Sequence, residues 1–313
     1  MESYSTLEIM KVSLVITVLN EEKTIDQFLD SVASQSLKPD EVVIVDGGST
    51  DATVSVIANF REYTKLIVKK GANRAEGRNL AIKKASGEVI AVSDAGCILE
   101  KNWLEEITGP FADPKVEVVA GFYQGRAKTV FEKCVVPYVL VMPDRVDANN
   151  FLPASRSMAI RKNVWQKLGG FPEKFSDNED YVFAQNLKKA GAKIVFCPEA
   201  KVYWLPRTNL KDFFMMIYRF ARGDAYAGLR FWKMATVFGR YSIAGLLVLW
   251  DKWVLLVLAG IGYLVWAIAK NFRYVKEPAA LFWLPVLQIM ADLGVMGGAI
   301  QGVVRRFTET VVK

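Results

Sequence analysis

Two long apolar runs near the C-terminus constrain this chain more than any other feature. Residues 253–269 (WVLLVLAGIGYLVWAIA) contain no charge over seventeen positions, and residues 279–304 run for twenty-six positions with Asp292 as the sole charge. A helix needs about 20 residues to cross a bilayer core, with a lower range near 17, so both runs qualify. An apolar stretch at 241–250 precedes the first run and is separated from it only by Asp251-Lys252. Buried helices of a soluble domain are the alternative, and Asp251, Lys252 and Asp292 are the residues that speak for it. We read residues 241–313 as a membrane hairpin. Basic residues stand on both sides of the second run (Lys270, Arg273 and Lys276 before it, Arg305 and Arg306 after it), so charge leaves its orientation open.

The remaining composition narrows the chemistry. The 313 residues are 52% apolar, which excludes a disordered chain, and no Gly repeat suggests a collagen-like one. With 40 Lys and Arg against 33 Asp and Glu the net charge is a modest +7, and no nucleic-acid partner is expected. There is no histidine. Ser-His-Asp and Cys-His catalysis and His metal ligation are therefore excluded, leaving carboxylates, Lys, Arg, Tyr, Ser, Thr or Cys. Cys97, Cys134 and Cys197 are odd in number and widely spaced, which fits neither a disulfide framework nor a zinc site and suits a reducing compartment. The apolar run at 12–19 is short, ends at Asn20-Glu21-Glu22 and lacks a basic flank or cleavage site, so the N-terminal part is expected to stay where it is made.

Between these limits the first two hundred residues alternate. β-Branched runs at 12–19, 41–46, 65–69, 88–93 and 116–122 read as strands, separated by helix-like stretches such as 24–35, 51–60 and 74–85. This is a βαβ succession, predicting a mainly parallel sheet with helices on both faces. Ligands bind at the carboxyl ends of such strands. Three of those ends are polar or acidic: Asn20-Glu21-Glu22, Asp46-Gly47-Gly48-Ser49-Thr50-Asp51 and Asp94-Ala95-Gly96. They make Asn20, Glu22, Asp46, Gly47, Asp94 and Ala95 candidate substrate-binding residues around one crevice.

From Pro153 the pattern changes to a strand at 157–161, a Gly-Gly-Phe-Pro turn at 169–172, a helix at 178–190 and two short strands at 193–196 and 201–204. Residues 211–233 then interleave Phe, Tyr, Trp and Met with Arg219, Arg222, Arg230 and Lys233, which suits a helix in the membrane interface or one packed on the preceding domain. Domain boundaries follow at 1–208, 209–240 and 241–313.

No Rossmann or P-loop fingerprint is present. Asp46 at a strand end can accept hydrogen bonds from a base or a ribose hydroxyl, or can serve an ordinary βα turn. Arg74 and Arg78 open a helix where guanidinium and backbone N–H groups could hold a diphosphate, or they line a solvated face. Asp94, at a strand end beside such a diphosphate, is a natural ligand for Mg²⁺ or Mn²⁺.

As an ordered set, T-V-L-N-E-E at 17–22, V-D-G-G-S-T-D at 45–51, G-R-N-L-A-I-K-K-A-S-G-E-V-I at 77–90, S-D-A-G at 93–96 and G-G-F-P…N-E-D at 169–180 resemble the family 2 glycosyltransferases. The resemblance covers about residues 12 to 205. It implies the α/β GT-A nucleotide-diphospho-sugar transferase fold, with a C-terminal helical membrane segment as a common accessory. It also implies sugar transfer from a nucleotide-diphospho-sugar with inversion. Asp46 then matches the carboxylate that reads the nucleoside, Asp94 the first Asp of the metal-binding D-x-D motif, and Asp180, of the Glu179-Asp180 pair, the catalytic base. A base must reach the acceptor hydroxyl, and a carboxylate in a first helical turn sits at the positive end of the macrodipole.

Two departures stand out. Gly96 occupies the place of the second acid of D-x-D, and Val202-Tyr203-Trp204-Leu205-Pro206-Arg207 lacks the family's later histidine. The processive Q-x-x-R-W signature is replaced by Tyr218-Arg219-Phe220-Ala221-Arg222-Gly223, which argues against a polymer synthase. The expected protein is a multi-pass enzyme of the cell membrane whose catalytic domain faces the cytoplasm, where nucleotide-sugars are found. It would use Mg²⁺ or Mn²⁺ and pass one sugar to a polyprenyl phosphate or glycolipid, with Arg219 and Arg222 as candidates for holding an acceptor phosphate. A soluble or polysaccharide acceptor, and an inactive nucleotide-binding module, are the rival readings.

Overall fold

The computed structural model describes residues 10–311 and divides the chain into two compact units, residues 1–126 with 143–205, and residues 127–142 with 206–313. The first unit begins β1 (Val12–Val18), α1 (Ile25–Ala33), β2 (Glu41–Asp46), α2 (Thr53–Ala58), β3 (Thr64–Val68), α3 (Arg74–Lys84) and β4 (Val89–Val92). It continues through β5 (Cys97–Leu99), α4 (Trp103–Thr108) and β6 (Val118–Gly125). After α5 (Val130–Val139), which belongs to the second unit, come β7 (Met158–Arg161), α6 (Lys162–Lys167), α7 (Glu179–Lys189) and β8 (Ile194–Trp204).

These eight strands form one sheet in the order β3-β2-β1-β4-β7-β6-β8-β5. The half made of β3, β2, β1 and β4 is parallel, as the βαβ alternation predicts. Strands β1, β2 and β4 are buried almost throughout, as expected for a parallel sheet covered on both faces. One core gathers Val15, Val43, Ile90, Val92 and Ile160 from the sheet with Ala81 and Ile82 of α3 and Phe183 and Leu187 of α7.

The other half departs from the mainly parallel expectation. β7 runs antiparallel to both β4 and β6, and β5 antiparallel to β8, while β6 and β8 are parallel. The strands read at 193–196 and 201–204 are one strand, β8, whose register against β6 slips between Gly121 and Phe122. Pro198, with no N–H to give to a ladder, lies in the slipped segment, so the sequence looks broken where the strand only bulges.

Register brings the strand ends together. Val18 pairs with Asp46, and Asp46 with Val68, so the loops after β1, β2 and β3 leave the sheet side by side. Gly77 lets α3 approach β1 closely, since a Cβ there would stand 2.7 Å from Cγ2 of Thr17.

The second unit is helical: α5, α8 (Leu210–Ala227), α9 (Phe231–Leu249), α10 (Trp253–Val275) and α11 (Ala280–Val311). α10 and α11 are long and apolar enough to cross a membrane. α8 packs along α11, where Gly294, Gly298 and Gly302 admit Ile217, Ala221 and Ala225. α9 runs unbroken through residue 240. Arg240 donates to Asp292 of α11 at 3.0 and 3.1 Å, and Tyr263 of α10 and Gln288 of α11 donate to the same carboxylate at 2.8 and 2.9 Å. A charge in the middle of an apolar helix is thereby matched inside the unit.

Candidate active site

At the strand ends of the first unit, α3 presents Arg78 inward with 2% exposure. Its guanidinium donates through Nη1 to Glu179 Oε1 and through Nη2 to Asp94 Oδ1 and Ser155 Oγ, both at 2.9 Å. α3 is held for this by a capping box, with Asn73 accepting from the Glu76 N–H and Glu76 from the Asn73 N–H. One turn on, Asn79 clamps the Gly-Gly-Phe-Pro loop, accepting from the Phe171 N–H at 2.8 Å and donating to the Phe171 carbonyl at 2.8 Å. That loop leads into α7. Asn178 at its start adopts a left-handed backbone (φ 57°), a conformation uncommon outside glycine, and projects Glu179 and Asp180 into the first turn.

Ser155 is the shared partner. Its N–H donates to Asp180 Oδ2 at 3.2 Å, and its hydroxyl lies 3.2 Å from Asp180 Oδ2 and 3.3 Å from Asp94 Oδ2. The hydroxyl accepts from Arg78 and carries one proton, so it can donate to only one of the two carboxylates at a time. Arg78, Asp94 and Asp180, all expected at the site, thus converge on a serine that the sequence reading did not select, and Glu179 joins them through Arg78. Arg156 was also missed. The only signal for either is the polar run Ser155-Arg156-Ser157 entering a buried strand.

One arginine faces three carboxylates. Burial alone would lower the pKa of Arg78, but the charges of Glu179, Asp94 and Asp180 outweigh it and hold the guanidinium firmly charged. For Asp94 burial opposes ionisation, yet Arg78 and Arg156 prevail and keep the carboxyl below its usual range. Burial pushes Glu179 upward, and the adjacent Asp180 adds to the effect against the pull of Arg78. Among the described residues Glu179 Oε2 is buried without a hydrogen-bond partner.

The remaining expected residues form a second group. Asp46 is fully buried, and its carboxylate accepts the Gly48 and Ser49 N–H groups at 2.8 Å each and the Ser49 hydroxyl. It therefore shapes its own turn, in which Gly48 takes φ 99°. Asn20 accepts from the Thr50 N–H at 2.9 Å and Glu22 from the Ala52 N–H at 3.1 Å, lacing the loops after β1 and β2 together. A Cβ on Gly47 would lie 3.0 Å from the Ala72 carbonyl, which keeps this floor tight. Ala95 is buried, and Arg74 is exposed at the first position of α3. Arg219 and Arg222 lie on α8 in the second unit, where Arg222 donates to Gln301 at 3.2 Å.

The site fits a divalent cation held chiefly by substrate. Among the described residues no three Asp, Glu or Cys side chains converge as a metal cage. Asp94 nonetheless keeps a third of its side chain exposed, and a Cβ on Gly96 would meet nothing within 4 Å. Mg²⁺ is commonly bound by one or two carboxylates together with substrate phosphates and water, and Asp94 offers one. All three cysteines are buried free thiols, and burial pushes the Cys97 thiol up, away from a reactive thiolate.

Comparison with known proteins identifies the family and the fold. Residues 13–160 match the model described as glycosyl transferase family 2, and residues 89–291 that of glycosyl transferase family group 2. The O-antigen chain rhamnosyltransferase RfbN of Salmonella typhimurium is 25% identical over 66% of this chain and 71% of its own length. The probable glycosyltransferase YdaM of Bacillus subtilis is 28% identical over 72% of this chain and 57% of its own. Among solved structures, the mannosyltransferase PcManGT of Pyrobaculum calidifontis, in complex with GDP-Man and Mn²⁺, superposes with a TM-score of 0.57 at 18% identity. It covers 96% of this chain and 88% of that one. TarS of S. aureus gives a TM-score of 0.51 at 23% identity, over 68% of this chain and 39% of that one. At these identities the structural likeness speaks for the fold.

Proposed function

As the chain belongs to glycosyl transferase family 2, we propose that this glycosyltransferase moves a single sugar, with inversion, from a nucleotide-diphospho-sugar to a membrane-associated acceptor, a polyprenyl phosphate or a glycolipid. The observation that carries the proposal is the reach of Ser155 to both Asp94 and Asp180. Two carboxylates that share one hydroxyl are close enough for one sugar to lie between them, its diphosphate toward Asp94 and its anomeric carbon toward Asp180.

In this reading Asp180 takes the proton of the acceptor hydroxyl as the acceptor oxygen attacks. Ser155 and the Tyr181 N–H, 2.8 Å from Asp180 Oδ1, hold that carboxylate in place. Arg78 positions Asp94 and Glu179 from behind. The laced loops bearing Asn20, Glu22, Asp46 and Gly47 form the nucleoside end. Asp94 would hold Mg²⁺ or Mn²⁺, whose contribution when bound is to neutralise diphosphate charge.

The two apolar helices favour a membrane-associated acceptor, and a cytosolic donor would place the catalytic unit on the cytoplasmic side. The O-antigen chain rhamnosyltransferases among the relatives support an acceptor that is itself a glycan under assembly. The test is to incubate the full chain with a panel of nucleotide-sugars and a lipid extract. A lipid whose mass rises by one sugar supports the reading; release of sugar only onto soluble glycans would refute the membrane acceptor.

A further inference from the structure

We propose that Arg156 grips the donor phosphate next to the sugar and carries the charge of the diphosphate as it leaves. The inference rests on the glycosyltransferase reading above. In the transfer, the acceptor oxygen bonds to the anomeric carbon while the bond from that carbon to the phosphate oxygen breaks. The hydroxyl proton goes to Asp180, the electron pair stays on the diphosphate, and the added negative charge needs a cation.

Arg78 is not available for that task, because it is buried and bonded to Glu179, Asp94 and Ser155. Arg156 is placed differently. It follows Ser155 directly, and its carbonyl accepts from the hydroxyl of Ser93, the residue before Asp94, at 2.8 Å. Its guanidinium carbon lies 5.7 Å from the ring centroids of both Tyr123 and Trp204, two side chains that are themselves almost buried. Among the described residues its guanidinium has no hydrogen-bond or ion-pair partner, and the residue is partly exposed. Two aromatic faces therefore hold the plane of the guanidinium by cation–π attraction and leave its N–H fork unused. Such a fork matches two phosphate oxygens.

A further observation aims it at the diphosphate. Cys97 pairs with Trp204, and the Leu205 N–H donates to the Gly96 carbonyl at 3.0 Å. The bare Gly96 thus sits beside the tryptophan that supports Arg156, and no second acid at that position competes for the guanidinium.

The experiment measures, by calorimetry on the full chain in detergent micelles, the affinities of UDP, GDP and dTDP and of the matching monophosphates. Wild type, Arg156→Gln and Arg156→Lys are compared. The loss of one charge-assisted contact predicts a diphosphate affinity about 10- to 100-fold weaker in Arg156→Gln. Monophosphate affinity should stay within about threefold, and Arg156→Lys, which keeps charge without the fork, should fall between. If wild type binds a diphosphate and Arg156→Gln binds it equally well, or loses monophosphate to the same degree, the role of Arg156 is refuted while the donor reading stands. If wild type binds none of the three diphosphates, the donor reading falls and takes this inference with it.

Discussion

Replacing Arg78 by Met tests whether the buried carboxylate cluster depends on one cation. The side chains of Arg78 and Glu179 are each 3% exposed, so the variant leaves Glu179 buried without its ion-pair partner. Breaking a buried pair from one side costs about 3–5 kcal/mol. The Asp94 arm, with 33% of that side chain exposed, is screened and adds less than about 1 kcal/mol. For a unit of this size each kcal/mol lowers Tm by about 2–4 °C, so we expect a drop of about 6–20 °C at neutral pH. The pH dependence has a definite sign. Burial already raises the Glu179 carboxyl, and without Arg78 it rises further above its unfolded value, so the folded variant binds more protons than the unfolded chain and loses stability as pH rises. The deficit should therefore shrink between pH 7.5 and pH 5, and Arg78→Met/Glu179→Gln should recover part of it. The assay is thermal unfolding of the full chain in detergent followed by tryptophan fluorescence. A drop below about 2 °C, or one that is the same at every pH, would refute the argument.

Further outcomes follow from other contacts. Asp94→Ala should weaken nucleoside diphosphate binding and abolish any divalent-ion dependence; wild-type activity that survives exhaustive chelation would remove the metal from the account. Gly77→Ala places a Cβ 2.7 Å from Thr17 Cγ2 and should cost about 1–3 kcal/mol in thermal unfolding, with Thr17→Ser in the same chain restoring most of it. Leu258, an exposed residue of α10, becomes costly to insert as Arg, by about 2.5–3.5 kcal/mol if it lies near the bilayer centre. Membrane flotation of Leu258→Arg should show the loss, and unchanged flotation would contradict a spanning α10.

What could be read from the sequence follows the length and regularity of each element. The parallel strands β1 to β4 and the helices α3 and α7 repeat a β-branched run and an amphipathic helix often enough to be found by period alone. β5 has three residues, and α5 carries Pro137 within it, so neither leaves a pattern. α9 escaped because Arg240 looks like the edge of an apolar run, whereas Asp292, fifty-two residues away, matches its charge. At the site, Asp94 stands out by its place at a strand end, and Glu179 and Asp180 through the family resemblance. Ser155 and Arg156 do not, since a serine bridging two carboxylates is defined by residues 61 and 25 positions distant and not by any local spacing. Asp46 offered two roles from sequence, ligand or turn, and its carboxylate accepts from its own turn.

The central claim is that Asp180 is the base of a sugar transfer. Its most direct test is Asp180→Asn in the full chain, with turnover of the active nucleotide-sugar and affinity for the matching nucleoside diphosphate measured together. Asparagine keeps the shape of the side chain and one acceptor oxygen, enough for the N–H of Ser155 or of Tyr181 but not both, and it cannot take a proton, so turnover should fall by about two to four orders of magnitude while the affinity changes by less than about threefold. Turnover within about threefold of wild type would contradict the account.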